Sequence, residues 1–156
     1  MNKAILFIFS GLPAVGKSTL AKSVVKHFGA VYLRIDTIEQ GLKDLCFINV
    51  EREGYRLAYR MVADNLQLGN NVVADCCNPI ELTRREWEDV AVNNNCRFVN
   101  IEVVCSDKTE HKKRAEQRNA EVANMKLPVW NDIENREYHE WHKNRIIIDT
   151  AGKTIK

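Results

Sequence analysis

A chain of 156 residues with a net charge of +2 can bury a full core without metals or cross-links, and so even a charge balance excludes bulk attraction to nucleic acid. Its five cysteines are odd in number and scattered, with no C-x-x-C pair, which excludes a disulfide framework and a clustered zinc site. The apolar run near the N-terminus is too short for a membrane helix or a secretory signal, so the chain reads as one cytoplasmic domain over 1–156 with reduced thiols and no membrane partner.

Residues 4–10 (AILFIFS) form a short apolar run, the mark of a strand buried on both faces. GLPAVGKST follows, and from Lys17 onward Leu20, Ala21, Val24, Val25 and Phe28 recur at helical spacing as far as Gly29. Residues 30–35 (AVYLRI) predict a second strand, 37–45 a helix, and 54–68 a clearer helix that breaks at Gly69-Asn70-Asn71. A third strand at 72–75 leads to Asn78-Pro79. There Asn78 as N-cap, Pro79 at the first helical position and Glu81 at capping-box spacing predict a helix running to residue 92. Residues 98–104 predict a fourth strand, 107–122 a highly charged helix, 132–143 a last helix and 145–148 (RIII) a final strand. Such alternation predicts an α/β fold, a parallel sheet with helices on both faces. Right-handed crossovers then bring the loop 11–18, Asp36, Asp75 and Asp149 to one edge, the edge where open α/β sheets bind ligands.

GLPAVGKST fits G-x-x-x-x-G-K-[ST] and has the strand before it and the helix after it that the motif requires. Gly11 and Gly16 permit close backbone approach. The N–H groups of the loop, those of Ala14, Val15 and Gly16 among them, join the positive end of the helix as an anion cradle. Lys17 supplies charge to the β- and γ-phosphates, Ser18 offers a hydroxyl to Mg²⁺, and Thr19 packs or bonds beside them. Pro13, without an N–H, stiffens the turn. No N-K-x-D guanine signature is present, so the expected cofactors are ATP and Mg²⁺.

Asp36, after the second strand, has two readings. It caps the next helix, with Glu39 three residues on completing a capping box, or its carboxylate takes the proton of an acceptor hydroxyl that attacks the γ-phosphate. Asp75 closes the apolar run NVVAD as in a Walker B segment: it holds Mg²⁺, touches substrate, or simply ends a strand. Arg114 and Arg118, four apart in the charged helix, share a face. They pair with acids such as Glu110 on a solvated helix, or they close over phosphates as part of a lid at 107–128 and stabilise charge during transfer. Arg136, Tyr138 and Trp141 are candidates for the same flap or for an acceptor pocket, and Trp87 and Trp130 for packing. His139 and His142 lack further ligands at metal spacing.

In their order, GLPAVGKST, LRIDTIEQGL, VVADCCNPIELTRREW, the Arg114–Arg118 pair and PVWNDIENREYHEW followed by IIIDT resemble the small P-loop kinases. The nearest group holds the zeta-toxin, chloramphenicol phosphotransferase and polynucleotide kinase relatives, often labelled AAA-type ATPases. The resemblance spans most of the chain. It implies a P-loop NTPase three-layer sandwich about a five-stranded parallel sheet, Mg-ATP as donor, and transfer to a hydroxyl. It also implies that Asp36 is the general base, that Arg114 and Arg118 are lid arginines, and that Asp149-Thr150 lies against the adenine. No signature for a sugar nucleotide, an antibiotic or a nucleic-acid end accompanies it. The leading expectation is therefore a kinase of a small-molecule hydroxyl. A 5′-hydroxyl polynucleotide kinase would need a basic, aromatic groove, for which only the 108–118 stretch and Tyr138 are candidates. An ATP-gated interaction protein that transfers nothing is the third alternative.

Overall fold

The computed structural model describes residues 3–154. Five strands, β1 (Ile5–Ser10), β2 (Val31–Arg34), β3 (Val72–Asp75), β4 (Arg97–Val104) and β5 (Ile146–Asp149), form one all-parallel sheet in the order β2-β3-β1-β4-β5. Helices α1 (Lys17–Phe28), α2 (Ile35–Cys46), α3 (Glu53–Gln67), α4 (Glu81–Asn93), α5 (Lys108–Gln117) and the short α6 (Trp130–Glu134) connect them. The expected three-layer α/β sandwich is the fold observed. Among the described residues no helix is long and apolar enough to cross a membrane.

β1 is apolar throughout because it is central and covered on both sides. Leu6 and Ile8 point into one core with Val72, Ala74, Ala58, Val62, Leu66 and Trp87, which brings in α3 and α4. Phe7 and Phe9 point the other way, into a core with Val73, Ile101, Val103, Val15 and Ala21, which brings in α1. Trp87 is fully buried, as expected of a packing residue.

The register builds the site. Arg34 pairs with Asp75, and Asp75 with Phe9, so the C-terminal ends of β2, β3 and β1 stand in a row. Two residues beyond the aligned Arg34, Asp75 and Phe9 lie Asp36, Cys77 and Gly11, and this is also where the strand order switches direction about β1, the usual position of a ligand crevice.

Four local expectations differ from the structure. The helix after β3 begins at Glu81, with Ile80 rather than Asn78 at its cap. Asn78 instead adopts a left-handed φ of 50°, is fully buried, and donates from its amide to Ser10 Oγ at 2.9 Å. The first helical N–H, that of Glu81, donates to His139 Nδ1 at 3.1 Å, so a distant residue does the work expected of a local cap. Second, the charged helix stops at Gln117 rather than at 122: only His111 and Ala115 of α5 are buried, too narrow an apolar stripe to carry it further. Third, the helix expected at 132–143 is only α6. Residues beyond it form an irregular strap held by side chains: Tyr138 donates to Glu102 at 3.1 Å, Arg145 and Lys143 pair with Glu102 and Glu88, and Trp141 lies on the Arg84 guanidinium at 4.2 Å. Fourth, α2 follows β2 with no loop between them. Arg34 is its cap residue and Asp36 sits inside its first turn, with no side-chain cap bond, so the capping-box reading of Asp36 with Glu39 falls.

Candidate active site

The loop between β1 and α1 is shaped by its backbone. Gly11 has φ 148°, and a Cβ there would lie 2.3 Å from the Val103 carbonyl oxygen, so no other residue fits without moving β4. Gly11 N–H donates to the Cys77 carbonyl at 3.0 Å. Ala14 takes a left-handed φ of 67° and Gly16 one of 91°, which turns successive N–H groups toward one point. The back of the loop is bolted in place. The Thr150 hydroxyl, fully buried, donates to the Val15 carbonyl at 2.7 Å, and the His111 ring bonds the Pro13 carbonyl through Nε2 at 2.8 Å.

Lys17 opens α1 and is buried, with Asp75 Oδ1 at 3.8 Å. Burial, the largest single influence, works against its charge. The thiol of Cys77 and the carboxylates of Asp75 and Asp36 nevertheless raise its pKa above the ordinary lysine value, so it is an ammonium at neutral pH. Asp75 is itself buried. It accepts from the Tyr32 hydroxyl at 2.6 Å and faces Arg34 Nε at 3.7 Å. Arg34 continues outward to Glu121, which also holds Lys22, and those hydrogen bonds bring the Glu121 carboxyl down to about 2.

In front of the loop lies a cavity of about 580 Å³. Pro13, Ala14, Gly16, Lys17, Ser18 and Thr19 form one end, and Asp36, Glu39, Tyr55 and Arg136 the other. Asp36 is exposed to the cavity and makes no hydrogen bond or ion pair among the described residues. Arg118, expected beside Arg114 on one helical face, has instead left the helix with φ −75° and ψ 151°. Its Nε and Nη2 are buried without a partner. Desolvation lowers its pKa while the charges of Asp36 and Cys77 oppose the shift. Arg114 is fully engaged: it bonds the Thr150 hydroxyl at 2.8 Å, the Thr150 carbonyl at 2.9 Å, the Lys153 carbonyl and the Glu110 carboxylate. Both arginines line the cavity, but on different terms.

Other expected residues lie beside the cavity rather than in it. Gly11 and Val15 form the back of the loop, and Asp75 stands behind Lys17. Asp149 is taken up by the N–H groups of Ser106 and Ala151, and Thr150 by Val15. The wall there is made by Lys153 and Thr154. Tyr138 and Trp141 pack on Arg84 away from the cavity, whereas Arg136 reaches it. Trp130 packs edge-on against His111. Glu39, Tyr55 and Cys77 also line the cavity: Glu39 reads locally as a capping-box partner, Cys77 has only its position two residues past the end of β3, and Tyr55 of α3 has no local signal.

A loop of this shape at the switch point of a parallel sheet defines the P-loop nucleotide-binding class. The profile of the AAA domain family matches residues 6–136, and the chain belongs to that family. No curated protein matches it. Among solved structures it is similar to a putative kinase from Chloroflexus aurantiacus j-10-fl (17% identity, 97% of this chain, 90% of that chain, TM-score 0.69). It is also similar to the Mycobacterium tuberculosis APS kinase CysC in complex with AMPPNP and APS (15%, 99%, 92%, 0.71). A third is Chaetomium thermophilum Kti12 in complex with ADP-AlF3 (19%, 92%, 88%, 0.71). These likenesses establish the fold that the chain shares with small P-loop kinases.

Proposed function

We propose that the protein is an ATP-dependent kinase that transfers the γ-phosphoryl group to a hydroxyl of a small-molecule acceptor. The observation that carries this reading is the shared cavity. The phosphate loop and the unpartnered carboxylate of Asp36 open into one space, which is also lined by Arg118 with two buried nitrogens that lack a partner. A switch protein needs the loop; it has no use for a free carboxylate set across from it.

The residues suit a nucleotide: the left-handed turns at Ala14 and Gly16 shape an anion nest beside the buried Lys17, and Arg118 presents orphaned buried donors. The loop N–H groups and Lys17 would hold the β- and γ-phosphates. Lys153 and Thr154, rather than Asp149 and Thr150, line the remaining wall for the nucleoside. Mg²⁺, bound with the nucleotide at the Ser18 hydroxyl, would neutralise phosphate charge. Asp75 acts on it at most through water, because its own oxygens serve Lys17 and Tyr32.

In the transfer, the acceptor oxygen attacks the γ-phosphorus in line and its proton passes to Asp36. The bond from the γ-phosphorus to the β,γ-bridging oxygen breaks, and ADP leaves. Lys17 and Arg118 stabilise the charge that spreads over the phosphoryl oxygens. Arg114, held by Thr150 and Glu110, braces the wall instead of moving with a lid. The test uses ATP labelled in the γ-phosphate and a small-molecule cell extract. Label should pass to an organic phosphate ester; label found only in inorganic phosphate would remove the kinase reading.

A further inference from the structure

The stripe of α2 that starts at Asp36 continues along the cavity wall. Glu39, Gln40 and Lys43 follow at helical spacing, and a second hollow of about 290 Å³ shares Asp36, Glu39 and Met125 with the first. Glu39 is half-buried, yet it accepts no hydrogen bond and makes no ion pair among the described residues. Burial, and then the neighbouring charge of Asp36, raise its pKa, while Lys43 and Arg136 oppose this only through space. Its stem is fixed: a Cβ at Gly54 of α3 would lie 2.3 Å from Glu39 Cγ. The missing side chain at Gly54 therefore lets Glu39, its carboxylate included, lie flat against α3 at the cavity wall.

A half-buried carboxylate with no donor from the protein is left to water, and a ligand that donates to it replaces that water. Asp36 and Glu39 lie three apart on one helix face, with Cβ atoms roughly 5–6 Å apart at that spacing, so their carboxylates can reach groups on neighbouring carbons of one molecule. Across from them the Tyr55 hydroxyl accepts from the Asn78 N–H at 3.0 Å, which leaves its own proton to donate. At this end the two carboxylates are acceptors and the Tyr55 hydroxyl a neutral donor, the complement of a pair of hydroxyls, while Arg136 and Lys43 stand near Glu39 without bonding it.

Resting on the kinase reading above, we propose that Glu39 selects the acceptor. It receives a hydrogen bond from a second hydroxyl or an ammonium one or two carbons from the oxygen that Asp36 deprotonates, so the acceptor is a polyol or an amino alcohol. An acceptor without such a donor leaves the Glu39 carboxylate unanswered and binds more weakly.

The test begins with the full chain, γ-labelled ATP and a small-molecule extract, the labelled ester being identified by mass spectrometry and NMR. The acceptor so found is then assayed with wild type and Glu39→Gln. The expected product is the monoester of a polyol or amino alcohol. Glu39→Gln should raise its KM about 10- to 100-fold, the loss expected for a hydrogen bond to a charged group, and leave the KM for ATP within about twofold. An acceptor with no second hydroxyl or ammonium within two carbons of the reacting oxygen overturns the role of Glu39 and leaves transfer standing, as does an unchanged acceptor KM in the variant. Absence of any labelled organic product with wild type overturns both.

Discussion

The donor end of the cavity is made largely of backbone braced by paired side chains; the acceptor end is made of side chains, and its two carboxylates have no partner among the described residues. Lys17 answers to Asp75, Asp75 to Tyr32, Val15 to Thr150, and Thr150 to Arg114. Asp36, Glu39 and the buried nitrogens of Arg118 answer to nothing among the described residues. The contrast follows from what each end must recognise. A triphosphate is the same in every turnover, so its site can be preorganised and satisfied in advance. An acceptor enters and leaves as two different molecules, and the groups that meet it are held ready at a cost in stability.

That contrast is open to attack at both ends. The largest effect belongs to Lys17→Met. Asp75 keeps Tyr32 and Arg34, so the fold should survive by circular dichroism while turnover drops about 10²–10³-fold, as when one preorganised charge donor is removed. Survival of turnover would mean that the donor end is not where the phosphate is held.

The two arginines separate the ends more finely. Arg118→Ala should cost about 10²-fold in kcat/KM with no loss of thermal stability, because it removes buried nitrogens that have no partner. Arg114→Ala should instead destabilise the protein by about 1–3 kcal/mol, since it leaves the Glu110 and Thr150 groups unpaired, with the smaller effect on rate. Reversed outcomes would exchange their roles.

The smallest effect tests the cost at the acceptor end. Because the folded pKa of Glu39 is raised, its penalty is absent below the unfolded carboxylate value and grows as pH rises through that value toward the folded one. Glu39→Gln should therefore raise the melting temperature at neutral pH by about 2–4 °C, the shift that ~1 kcal/mol gives a domain of this size. The gain should fade as the pH falls below the ordinary glutamate range. A melting temperature lowered at neutral pH would mean that Glu39 is structurally satisfied.

Sheet order and loop were legible because their signals are contiguous. GLPAVGKST lies between an apolar strand and an apolar-striped helix, and each aspartate follows a strand whose end the register aligns. Errors arose where a side chain finds its partner far along the chain. Asn78 looks like a cap until Ser10, 68 residues away, takes its amide. The strap after α6 looks helical until Glu102 and Arg84 hold it extended. Arg118 reads as one more charge on a helix face, and nothing local shows that α5, whose last buried residue is Ala115, ends one residue before it. Glu39 was hidden by a plausible local role, the capping box, and only the fold reveals that Gly54 makes room for it.

Transfer through Asp36 is tested most directly by Asp36→Asn, assayed for ATP binding by calorimetry and for passage of the γ-phosphate to the acceptor. The amide keeps the shape and removes the base. ATP affinity should stay within about twofold while phosphorylation falls about 10²–10⁴-fold, the contribution of a positioned base. Transfer at the wild-type rate, or a matching loss of ATP binding, would contradict it.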